Sequence, residues 1–122
     1  MGTNEAHTVF VYGTLRQHSQ NPQVFFLPGY EMYATKHFPF IIQREGSVVR
    51  GQILEVDDDE LTYLDRYEGL SKGLYTREKA LIYPDLSRHA VGREVWVYVA
   101  GPALTYPKIE SGDWYAYQSS EV

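Results

Sequence analysis

The apolar residues of this chain fall mostly in short runs with a period of two, and such runs have to be buried as sheet. Val49, Gly51, Ile53 and Glu55 oppose Val48, Arg50, Gln52, Leu54 and Val56, so residues 48–56 read as a strand with two distinct faces. Residues 75–83 and 94–100 alternate β-branched or aromatic residues with others and read as two more strands. Residues 8–12, Thr-Val-Phe-Val-Tyr, read as a buried first strand ending at the loop Gly13-Thr14-Leu15-Arg16. Residues 30–37 read as a further strand, and Phe38-Pro39-Phe40-Ile41-Ile42 as an apolar loop and strand.

Two segments are expected as helix. Asp57 with Glu60 three residues later forms a capping box, and the acids between them suit a positive helix N-terminus. Leu61, Tyr63, Leu64 and Tyr67 give the inward stripe, and Gly69 stops the helix. A shorter helix is expected through Phe25 and Phe26, capped by Asn21, started by Pro22 and closed by Pro28-Gly29. The sum is one α+β domain spanning residues 1–122, with residues 1–7 and 118–122 as loose tails. Its sheet should curl towards a barrel, because an open sheet this aromatic would expose its edges. Trp114, Tyr115 and Tyr117 should dock on the body of the domain.

Charge and composition then remove classes of function. A net charge of −5 offers no footprint for a phosphate backbone, so nucleic acid is not an expected partner. No Lys/Arg run suits an anionic membrane, and no apolar stretch approaches a span. The absence of cysteine excludes thiolate chemistry and Cys-based zinc, and it fits a cytoplasmic setting. His7, His18, His37 and His89 are scattered without metal-ligand spacing, so neither metal nor cofactor is expected. Neither a Gly-x-Ser-x-Gly elbow nor a Gly-rich phosphate loop occurs. The 11 tyrosines suit either a polar pocket or strand filler.

Two places could carry chemistry. In Val11-Tyr12-Gly13-Thr14-Leu15-Arg16 a strand feeds a glycine turn, which points backbone N–H groups one way and could hold a carboxylate or oxyanion. An ordinary β-turn is the other reading. In Leu64-Asp65-Arg66-Tyr67-Glu68-Gly69, followed by Tyr75-Thr76-Arg77, Glu68 stands at the end of the expected helix. The helix dipole opposes a carboxylate there and raises its pKa, as burial beside Tyr67, Leu70 and Tyr75 would. That shift suits a base working near neutral pH. The other reading pairs Glu68 with Arg66, Lys72 or Arg77 at the surface.

Taken in order, these segments resemble the γ-glutamylcyclotransferase-like superfamily, the AIG2-like and YtfP-like proteins. Val9-Phe10-Val11-Tyr12-Gly13-Thr14-Leu15-Arg16 resembles its opening strand and Tyr-Gly-(Ser/Thr)-Leu loop. Val49-Arg50-Gly51-Gln52-Ile53-Leu54-Glu55-Val56 resembles its glycine-bearing strand, and Leu64-Asp65-Arg66-Tyr67-Glu68-Gly69 with Tyr75-Thr76-Arg77 its Leu-Asp-x-(Tyr/Phe)-Glu-Gly and Tyr-x-Arg. Ser111-Gly112-Asp113-Trp114 resembles the closing Gly-Asp-Trp of the bacterial branch. His37-Phe38-Pro39-Phe40-Ile41 departs from the family's Tyr-Pro-Ala region, so the substrate wall there should differ.

The resemblance implies a mixed β-barrel with flanking helices. It implies that Tyr12, Gly13, Thr14 and Leu15 bind the substrate through backbone N–H groups, that Glu68 is the catalytic acid/base, and that Tyr75 and Tyr98 are pocket tyrosines. The implied reaction closes a γ-glutamyl group into 5-oxoproline. Glu68 accepts a proton from the α-amino group, whose unperturbed pKa is roughly 8, the amine attacks the γ-carbonyl, and a free amine departs. The partner is then a small γ-glutamyl molecule, and no cofactor takes part. A binding protein on the same scaffold, or an interaction module using the aromatics as a surface, are the other classes compatible with the sequence.

Overall fold

The computed structural model describes residues 6–35, 38–67, 75–100 and 107–120. Five strands form one curled mixed sheet: β1 (His7–Val11), β2 (Phe25–Ala34), β3 (Pro39–Val56), β4 (Tyr75–Ile82) and β5 (Arg93–Ala100), in the order β2-β3-β1-β5-β4. The β1–β5 pair is parallel and the other pairs are antiparallel. A 3-10 helix over Thr14–His18 follows β1, α1 (Asp58–Tyr67) follows β3, and α2 (Trp114–Ser120) follows the sheet.

The sheet curls because its two edges meet. Phe26 and Tyr83 exchange backbone hydrogen bonds of 2.8 and 2.9 Å, joining β2 to the chain just beyond β4. The Tyr30 hydroxyl donates to Glu78 at 2.7 Å across the same gap, and Gln43 donates to that carboxylate at 2.9 Å. Burial, with the Glu78 hydrogen bond second, pushes the Tyr30 phenol up to about 12. The result is the expected α+β architecture, a half-closed mixed barrel flanked by helices.

The expected helix through Phe25 and Phe26 is instead the start of β2. Asn21 does turn the chain, but its Oδ1 accepts the Gln23 N–H at 2.9 Å, an Asx turn that releases the chain into a strand. Phe25 and Leu27 are buried while Phe26 between them is partly exposed, which is the period of a strand. Pro28-Gly29 does not close a helix. Gly29 stands at φ +88°, and the pairing of β2 with β3 shifts register between Pro28 and Tyr30, as at a bulge. β3 is long enough to pair β2 on both sides of that shift and to hold β1 along its second half.

The box at the start of α1 forms as expected. The Glu60 N–H donates to Asp57 Oδ1 at 2.8 Å and the Asp57 N–H to Glu60 Oε1 at 3.0 Å. The inward stripe is narrower than expected. Leu61 and Leu64 are buried with Val9, Val11, Leu54, Val56 and Tyr98, whereas Tyr63 and Tyr67 are 67% and 62% exposed. A ten-residue helix lying on one sheet face touches it along a single line, and two leucines fill that line. The other core lies inside the barrel, where Phe10, Leu27, Met32, Ile41, Val49, Ile82 and Val97 form one buried cluster with Trp114. Gly51 lets β3 approach β1 there, since a Cβ would stand 2.4 Å from the Val11 carbonyl oxygen and 2.7 Å from the Phe10 ring.

The chain around residues 107–120 is bound to the barrel rather than trailing from it. Ala34 N–H donates to Pro107 C=O at 3.0 Å and Ile109 N–H to Met32 C=O at 2.8 Å, along the free edge of β2. Beneath this pairing the buried Glu31 accepts hydrogen bonds from Tyr33, from Ser47 at 3.1 Å and from Lys108 at 3.0 Å. The Tyr33 hydroxyl, more than the lysine, holds the Glu31 carboxyl below its usual range. β1 begins at His7 and α2 continues to Ser120, so secondary structure enters both stretches that the sequence suggests as loose tails.

Candidate active site

A cavity of about 240 Å³ opens where β1 runs into the 3-10 helix. Phe10, Val11 and Tyr12 bring β1 to it, and Gly13 and Leu15 bring the turn. Pro39 at the start of β3 and Phe38 before it form one side, Tyr67 at the end of α1 another, and Tyr75 and Tyr98 of β4 and β5 the rest.

The turn is built by the residue types noted in the sequence. The Arg16 N–H donates to the Gly13 C=O at 3.0 Å, which starts the 3-10 helix. The amides of Thr14 and Leu15 come before that first bond, where a helix leaves its N–H groups without intrahelical acceptors. A Cβ on Gly13 would meet the Pro39 ring at 3.1 Å, so a bare α-carbon lets β3 close over the turn.

The opposite wall is tied by a chain of hydrogen bonds. The buried Tyr12 hydroxyl donates to the Tyr98 C=O at 2.7 Å. The Tyr98 hydroxyl donates to Asp65 Oδ1 at 2.7 Å, and Arg77 donates to both carboxylate oxygens of Asp65 at 2.8 and 3.2 Å. The Arg77 guanidinium also lies 4.2 Å from the centre of the Trp96 ring. Asp65 thus pins the last turn of α1 to β4 and β5, next to Tyr67. Asp65→Ala should lower stability by about 1–3 kcal/mol, because it takes this acceptor from the half-buried Arg77 and from the Tyr98 hydroxyl. Urea unfolding measures this, and a change within error of zero would remove Asp65 as the pin.

Arg16 is tied up by other side chains. It is 5% exposed, donates to Gln52 at 3.0 Å and to Asp113 at 2.9 Å, and stacks 4.0 Å from the Tyr115 ring centre. Asp113 in turn accepts the Tyr115 N–H at 3.0 Å and so caps α2. The Gly-Asp-Trp segment is therefore a clasp. Gly112 makes its turn at φ +65°, Asp113 holds Arg16, and Trp114 fills the barrel.

Of the residues singled out in the sequence, Tyr12, Gly13, Leu15, Tyr75 and Tyr98 line one cavity. Thr14 belongs to the 3-10 helix by its backbone. Its side chain, and Glu68 with Gly69, Leu70 and Lys72, lie outside the described residues. Phe38 and Pro39, from the segment where a different substrate wall is expected, and Tyr67, from the Glu68 motif, line the cavity as well, whereas no role is expected of Asp65. Asp65 had a signal, since it shares a segment with Glu68 and is followed by Arg77, but nothing in the sequence pairs those two charges. Among the described residues no three His, Asp or Glu side chains meet as metal ligands, and no helix is long and apolar enough to cross a membrane.

Comparison with known proteins follows the same lines. The family model described as Gamma-glutamyl cyclotransferase, AIG2-like matches residues 9–116. No curated protein matches. The solution structure of ytfP from Escherichia coli is 26% identical, with a TM-score of 0.61 over 91% of this chain and 98% of its own. An AIG2-like protein from Mus musculus is 22% identical, with a TM-score of 0.60 over 87% of each chain. A structure named gamma-glutamyl cyclotransferase is 19% identical, with a TM-score of 0.63 over 85% of this chain and 70% of its own. These likenesses show a shared fold.

Proposed function

This chain belongs to the gamma-glutamyl cyclotransferase, AIG2-like family, and from that premise we propose that it converts a γ-glutamyl amide into 5-oxoproline and a free amine, with Glu68 as acid/base. One observation carries the reading: the cavity joins the Tyr12–Leu15 turn to Tyr67, the residue bonded to Glu68. A carboxylate at that point of the chain and a row of amides on the turn would serve opposite ends of one small substrate.

The substrate supplies its own nucleophile. The neutral α-amine forms a new C–N bond to the γ-carbonyl carbon, closing a five-membered ring. The ring nitrogen gives up a proton to Glu68. The bond from that carbon to the outgoing nitrogen breaks, and Glu68 returns the proton to it, which regenerates the carboxylate. The amides of Gly13, Thr14 and Leu15 would hold the α-carboxylate or the tetrahedral oxyanion. Tyr75 and Tyr98 would wall the folded-back substrate, whose correct conformer accounts for much of the acceleration. The setting proposed is the cytosol, and no cofactor enters the scheme.

The test is incubation of the purified protein with γ-glutamyl amides, scored for 5-oxoproline by mass spectrometry. Release of 5-oxoproline with an equal amount of amine is expected. Recovery of every amide unchanged would reject the enzymatic reading and leave a binding protein.

A further inference from the structure

We infer that Phe38 and Tyr67 form an aromatic clamp at the cavity mouth that selects γ-glutamyl amides whose amine carries an aromatic or extended apolar group. The inference rests on the reaction proposed above and names the leaving group it would favour.

Three observations carry it. The cavity, about 240 Å³, is smaller than the roughly 300–1,000 Å³ of sites that enclose a drug-sized ligand. It has room for an amino-acid-sized unit, so the amine half of the substrate must lie across the mouth. Second, the mouth is where the lining becomes both aromatic and wet. Phe38 is 48% exposed and Tyr67 62% exposed, although both line the cavity, whereas Phe10, Tyr12 and Tyr98 further in are buried. Third, the two rings come from separate elements, the approach to β3 and the end of α1, and the chain beside each is fixed. Pro39 sits against Gly13, and Asp65 ties α1 to Arg77 and Tyr98. Two rings that face water next to a small, largely apolar hollow gain contact area when an apolar group lies across them. Tyr63, one helical turn before Tyr67 and 67% exposed, continues the same face for longer groups.

The experiment compares γ-glutamyl amides of methylamine, n-butylamine and 2-phenylethylamine, three amines of similar basicity, together with the ε-linked amide of lysine. All four share the glutamyl half, so differences report the mouth alone. kcat/KM for the 2-phenylethylamide is expected to exceed that for the methylamide by about tenfold, the scale of two aromatic contacts, with the butylamide between them. Phe38→Ala should remove most of that ratio, and Phe38→Leu should keep about half of its logarithm. Equal kcat/KM for the methyl and phenylethyl amides, a preference for the lysine amide, or a ratio untouched by Phe38→Ala would each overturn the clamp while leaving the cyclotransferase reading standing. Absence of 5-oxoproline from all four would overturn that reading and the clamp with it.

Discussion

Glu68→Gln is expected to lower 5-oxoproline release by ~10² or more, the usual scale for a lost general acid/base. Glutamine keeps the size and hydrogen-bonding reach of glutamate but neither accepts the proton of the ring nitrogen nor returns one to the outgoing amine. Both transfers occur at atoms bonded to the same carbon, so one substitution removes both. The turn amides and the cavity walls are untouched, and a folded-back substrate should still bind. The measurement is 5-oxoproline formed per enzyme under saturating substrate, with circular dichroism and unfolding curves to show the variant is folded. Turnover close to the unsubstituted protein in a folded variant would take Glu68 out of the reaction. Thr14 and Arg16 substitutions should slow the chemistry less. The turn would act through its backbone, and Arg16 is committed to Gln52 and Asp113.

The largest effect on stability is expected at Gly112. A Cβ there would stand 2.1 Å from the Val48 carbonyl oxygen, and the residue sits at φ +65°. The conformation alone costs an L-residue about 1–2 kcal/mol. The overlap adds to this, because the backbone of β3 would have to move and the 2.7 Å bond from the Arg50 N–H to the Gly112 carbonyl would be lost. We expect Gly112→Ala to lower stability by about 3–5 kcal/mol. Gly46→Ala is the matched control: Gly46 has φ +90° but nothing within 4 Å of a built Cβ, so only the conformational cost applies. Equilibrium unfolding of both variants decides the matter. If Gly112→Ala were no worse than Gly46→Ala, the close approach to Val48 would not be a real constraint on the clasp.

The parts of the fold that the sequence made legible were those governed by local rules. The capping box at Asp57 and Glu60, and the alternation along residues 48–56, depend on neighbours a few positions away, and both appear as read. The failures came where distant contacts decide. Asn21-Pro22 and Pro28-Gly29 carry helix punctuation, yet Phe25–Pro28 is claimed by pairing with β3, and no local signal announces a partner twenty or more residues away. Tyr63 and Tyr67 have helical spacing but stay exposed, Tyr67 at the cavity, because two leucines already fill the contact with the sheet. At the site, the glycine turn and the pocket tyrosines could be picked from motifs, since their residue types are tied to a backbone geometry and a polar wall. Asp65 could not. Its worth lies in meeting Arg77 from one strand and Tyr98 from another, a conjunction that exists only after folding.

The clasp between Arg16 and Asp113 spans 97 positions, and this sets an order of events during synthesis. β1 and its turn leave the ribosome early, with Gly13 and Leu15 already in hand, but the guanidinium behind them has no carboxylate to meet until Asp113 emerges and folds back. Such a distant closure is slow relative to local structure. A nascent chain halted before that point would carry the turn but not the counterweight that stiffens it, so a competent pocket is a late acquisition of the growing polypeptide.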